Sequence, residues 1–152
     1  MTLIKVAAVL IVILALVIGI VPQFTDCQSQ GRAIELPNGK TVAMKCHWTA
    51  TAELALAIPI AAVGVLLGFS RRKESMRNLS ILGMVLGAIA ILVPTSLIGV
   101  CASSDMLCNS VMRPLLILMG TLLVAISVVT LIASNRMTDQ PTPSGGAAAG
   151  AA

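Results

Sequence analysis

Four stretches of nearly unbroken apolar residues divide the chain: Leu3 to Val21, Thr49 to Phe69, Leu79 to Val100 and Pro114 to Ala133. Each is too long and too apolar for a small soluble domain. Each approaches the roughly 20 residues that, at about 1.5 Å of rise apiece, cross about 30 Å of hydrocarbon. The pattern predicts an all-α integral membrane protein, a four-transmembrane-helix bundle over residues 1–134. Outer loops fall at 22–48 and 101–113, an inner loop at 70–78 and a disordered cytoplasmic tail at 135–152. The first apolar run, closed by Pro22, also resembles a secretory signal, but VPQFTDC lacks the small residues a signal peptidase needs, so the run is predicted to stay as a helix.

Composition agrees with that reading. Hydrophobic residues make up 57% of the 152 and charged residues only 11%, where a soluble domain carries about 25%. The formal charge of +4 raises the question of nucleic acid, but aromatic residues are 2% of the chain and the basic ones gather at one hairpin. Nucleic acid is therefore excluded as a partner. The basic cluster, Arg71, Arg72, Lys73 and Arg77 in SRRKESMRN, marks a cytoplasmic loop instead. With it inside, both termini are cytoplasmic, and six basic residues (these four, Lys5 and Arg136) lie inside against four outside (Arg32, Lys40, Lys45 and Arg113). The same orientation puts Cys27, Cys46, Cys101 and Cys108 in extracytoplasmic loops, where disulfides persist.

The longest polar stretch between apolar runs, CQSQGRAIELPNGKTVAMKCHW, is the predicted cap. Arg32 to Leu36 and Thr41 to Cys46 have modest β character and flank Asn38-Gly39, a hairpin signal because both residues tolerate positive φ. A Cys27–Cys46 disulfide is expected to staple this small extracytoplasmic hairpin, adding roughly 3 kcal/mol, with Cys101–Cys108 closing the second loop. Four cysteines allow three connectivities, so this pairing is a preference.

Gly64 with Gly68 and Gly83 with Gly87 are G-x-x-x-G pairs at matched depth on helices two and three, which predicts close packing of those two helices. Pro59 and Pro94 predict mid-helix kinks. Ionisable residues are missing from the helix centres, which argues against a proton-coupled pump or ion-selective transporter. Glu53, about one turn inside helix two, is expected to pair with Arg113. Trp48 is read as an interfacial anchor, matched by Phe69 at the other end.

Three chemistries compete for the cap. Thiol redox has its paired cysteines but no C-x-x-C. Copper or another soft metal has Met44, Cys46, His47, Met106, Cys108 and Met112, yet adjacent Cys46 and His47 would face opposite sides of a strand, and disulfide-bonded cysteines do not ligate. Met44, His47 and Met106 are thus weak metal candidates, and neither metal nor cofactor is expected. A partner-binding cap, with Cys46, His47, Trp48, Glu53 and Arg113 as its candidate site, demands nothing the chain lacks. Signatures of soluble enzymes are absent, so no catalytic residue is assigned.

The residues FTDC (Phe24 to Cys27) and MKCHWTA (Met44 to Ala50), with the helix plan, resemble a family of small four-helix bacterial and archaeal membrane proteins of unknown function. The resemblance covers about Leu3 to Ala133. Members often accompany ABC transporter permeases of the macrolide-exporter or lipoprotein-release type. That implies a non-enzymatic accessory or structural subunit in the plasma membrane, partnered by lipid and another membrane protein such as an ABC permease. A thiol-redox or copper-handling protein is the alternative. A faint duplication, helix, cysteine pair, helix, runs through both halves.

Overall fold

The computed structural model describes residues 2–29, 31–32, 34–101 and 106–136. Helix α1 spans Thr2–Thr25, the strands β1 and β2 are Ile34–Glu35 and Thr41–Val42, and α2 spans Lys45–Phe69. Helix α3 covers Lys73–Leu92 and runs on as a π-helical turn at Val93–Leu97; a second π-helical turn, Cys108–Met112, leads into α4, Arg113–Asn135. All four helices are long and apolar enough to cross a membrane. The tail expected to be disordered lies, from residue 137 onward, outside the described residues.

Apolar residues go both inward and outward, as a bundle in lipid requires. On α1, Ile4, Ala8, Ile11, Ala15 and Ile18 recur at three- and four-residue steps and are buried, while Leu3, Val6, Ile13 and Ile20 of the same helix are exposed. Buried hydroxyls are mostly satisfied within their own helix: Ser80 donates to the Met76 carbonyl at 2.8 Å and Thr130 to that of Ile126 at 2.8 Å.

Helix ends depart from expectation where local chemistry competes with hydropathy. Helix α1 passes through Pro22, which is buried; proline forfeits one backbone bond and the helix absorbs that loss. Helix α2 begins at Lys45, not Thr49, so Cys46 and His47 lie on a helix, not a strand. Helix α3 begins at Lys73, within the expected loop, and its far end widens at Pro94, where Ile98 and Gly99 both donate to the Val93 carbonyl at 3.1 Å.

The hairpin forms as predicted but with a different turn. Ile34 pairs with Val42 and Glu35 with Thr41 in antiparallel register. Gly39 has φ +77°, Asn38 does not take positive φ, and Leu36 donates to Lys40 at 2.9 Å. This is the three-residue connection with glycine in the left-handed position, not a two-residue Asn-Gly turn.

The glycine pairs pack elsewhere than expected. A Cβ on Gly64 would meet Val12 Cγ2 at 2.8 Å and the Ala8 carbonyl at 3.1 Å, both on α1; Gly68 likewise faces Ala8 at 3.5 Å. Gly83 and Gly87 face α4, where an added Cβ would meet Ser127 Oγ at 2.6 Å and the Gly120 carbonyl at 3.2 Å, respectively. The closest backbone approaches therefore join α1 to α2 and α3 to α4, and α2 meets α3 more loosely. The bundle is two tight hairpins laid together.

Candidate metal centre

Each hairpin delivers two cysteines to the end of the bundle that carries the β-hairpin. Cys27 follows the last turn of α1, Cys46 is the second residue of α2, Cys101 follows the widened end of α3, and Cys108 opens the π-helical turn before α4. Hydrogen bonds hold these segments in place. Gln23 Nε2 donates to the Ala50 carbonyl at 2.8 Å, tying α1 to α2, and Thr49 Oγ1 donates to the Gly99 carbonyl at 2.7 Å, tying α2 to the end of α3.

The result is one sulfur cluster. Cys27 Sγ lies 3.4 Å from Cys108 Sγ and 3.8 Å from Cys101 Sγ, and Cys101 Sγ lies 3.6 Å from Cys46 Sγ. All four sulfurs fall within 4.8 Å of one another. No two sulfurs stand at bonding distance, so the structure does not show the stapled cap expected from the sequence, and close approaches join cysteines of different loops. Burial is deep: Cys46 and Cys108 are 0% exposed, Cys27 is 2% exposed, and only Cys101 is partly open.

The spacing fits a single ion. Four thiolates at about 2.3 Å from a tetrahedral zinc stand about 3.8 Å apart, close to the separations found. A multi-iron cluster spreads its thiolates over different irons and needs a wider set. Burial, followed by contacts with Cys46 and Cys108, pushes the Cys27 thiol above the ordinary range. Burial also opposes ionisation of Cys101, but its contacts with Cys46, Cys27 and Cys108 outweigh that and hold it below the ordinary range.

The weak metal candidates of the sequence divide. Met106 Sδ is 3.9 Å from Cys27 Sγ, Met44 packs at the edge of the core, and Met112 is buried. His47 turns away from the sulfurs: its Nδ1 lies 3.0 Å from Asp26 Oδ2. Asp26 also accepts from the Ser29 N–H at 2.8 Å. Burial alone would raise its carboxyl, but the bonds to His47 and Ser29 prevail and hold it below the ordinary carboxylate range. Asp26 was not singled out from the sequence, although its place beside Cys27 mirrors that of His47 beside Cys46 in DC and CH.

The other candidates lie apart from the cluster. Trp48 is 60% exposed and meets His47 edge-on at 6.0 Å, and Phe69 is 82% exposed at the opposite end of α2, as suits interfacial residues. Glu53 is fully buried and neither carboxylate oxygen has a hydrogen-bond partner. Arg113 is exposed, and the expected Glu53–Arg113 ion pair is not among those formed by the described residues. Glu53 lies seven positions after Cys46, about two turns on the same buried face, and its carboxyl is enclosed by the bundle while Arg113 is at the surface.

These features define a four-helix, membrane-spanning class of protein with a four-thiol centre at one end. The chain belongs to the family described as Domain of unknown function (DUF4418), whose pattern matches residues 5–133. Comparison with curated proteins and with solved structures returns no match.

Proposed function

We propose that the protein is a non-enzymatic multi-pass membrane protein built around a centre that binds one soft metal ion through Cys27, Cys46, Cys101 and Cys108. The convergence of four sulfurs within 4.8 Å carries this reading. Thiolates select zinc, copper(I) and related soft ions, and three of the four are sealed from water, as in closed structural sites. This favours the metal-handling alternative of the sequence over a disulfide-stapled cap. The basic turn of Arg71, Arg72 and Lys73 faces the cytoplasm by the positive-inside rule, which puts the centre on the extracytoplasmic side of the plasma membrane. An accessory role beside an ABC-type permease remains part of the proposal, with the metal-bound cap as the part offered to the partner.

A second reading rests on the 3.4 Å Cys27–Cys108 separation: without metal, the same thiols are placed for thiol–disulfide chemistry. Elemental analysis of protein purified under mild reductant separates the two. One zinc or copper per chain, lost in each single Cys→Ser variant, supports the metal centre. Metal-free protein that takes up neither ion after full reduction refutes it.

A further inference from the structure

Three of the four sulfurs are enclosed, so an ion must reach the centre by way of the fourth. Cys101 is the partly open one, and it lines a cavity of about 320 Å³ with Pro94, Thr95, Gly99, Asn109 and Arg113. The widened end of α3 forms one wall and the turn leading into α4 the other. A space of that size admits a small chelate. Its charged group is Arg113, whose guanidinium carries a fixed positive charge and a fork of donors suited to carboxylates.

We propose that this cavity is the exchange port of the metal centre: an anionic carrier, a small chelate bearing carboxylates or thiolates, docks on Arg113 and passes its ion to, or takes it from, Cys101. The inference rests on the metal-centre reading. The step is a ligand exchange without change of oxidation state. As the Cys101–metal bond forms, one carrier–metal bond breaks, and the thiol proton moves to the released carrier donor; the other three cysteines complete the shell in turn. Unloading is the reverse. Arg113 is a positioning residue here, since it holds the carrier and not the ion.

The test uses full-length protein in detergent, loaded with Zn(II), and follows zinc release into two chelators, anionic EDTA and neutral 1,10-phenanthroline. Arg113→Gln should slow release to EDTA by about tenfold, the low end of charge-steered effects, and leave the phenanthroline rate within about twofold. Lys45→Gln, which removes an exposed cation beside Cys46, should alter neither. Zinc stoichiometry of each variant reports that the centre has formed. If Arg113→Gln changes both rates equally or neither, the port is wrong while the centre stands; if wild-type protein binds no zinc, both readings fall.

Discussion

His47 Nδ1 stands 3.0 Å from Asp26 Oδ2, and these residues are the chain neighbours of Cys46 and Cys27. The contact joins the end of α1 to the start of α2 at the point where each delivers a sulfur. Asp26→Asn and His47→Ala should each weaken zinc binding by about tenfold, as loss of supporting contacts does at other metal sites. Competition against a fluorescent chelator measures this; unchanged affinity in both variants removes the pair from any positioning role.

The same aspartate predicts an acid-side instability in metal-free protein. Its folded-state carboxyl lies below the ordinary value, so its contribution is fully present above the unfolded-state range and is lost as pH falls through the folded value. Thermal unfolding followed from about pH 5 to pH 3 should show a shallower loss for Asp26→Asn than for wild type.

Oxidation of metal-free protein should join the hairpins to each other. Cys27 and Cys108 stand 3.4 Å apart and Cys46 and Cys101 3.6 Å apart, two separations that together pair all four thiols across the hairpins, so peptide mapping under non-reducing conditions is expected to recover those links. Recovery of Cys27–Cys46 with Cys101–Cys108 instead would return the cap to the loop-by-loop pairing first expected.

Glycine positions with similar sequence spacing should differ in cost. Gly64→Ala presses a methyl against Val12 and the Ala8 carbonyl, and Gly87→Ala against Val124 at 2.9 Å and the Gly120 carbonyl. Each is expected to destabilise by about 1–3 kcal/mol. Gly68→Ala meets Ala8 at an ordinary 3.5 Å and should stay within about 0.5 kcal/mol of wild type. Reversible unfolding in mixed micelles ranks the three.

Glu53 buries two oxygens without partners, which costs about 1–3 kcal/mol. Glu53→Met, similar in volume and apolar, should stabilise the bundle by a comparable amount in the same unfolding assay. A destabilised Glu53→Met would mean that the carboxyl holds a partner inside the bundle.

The four spans were legible because lipid leaves its mark on every residue from Leu3 to Val21 and on the three later runs. The hairpin was legible because Asn38-Gly39 is a local signal. Glycine spacing reveals a narrow helix face, but not which helix lies on it, and Gly64 takes α1 where α3 was expected. Lys45 to Trp48 read as the last residues of the outer loop, with the strand run ending at Cys46, since KCHW is polar for a membrane helix; in the structure they form the first turn of α2, with Cys46 at the sulfurs and His47 against Asp26. The meeting of four cysteines from two loops is a property of the packed bundle, and no spacing within either loop encodes it.

Between Phe69 and Lys73 the hairpins are joined by Ser70 to Arg72 alone, and at the far end of the bundle the sulfurs meet. With an ion bound there, as proposed, the molecule would be a clasp with a covalent pivot at one end and a removable pin at the other. Without the pin, the Thr49–Gly99 hydrogen bond and the looser α2–α3 packing would be left to hold the α1–α2 arm to the α3–α4 arm.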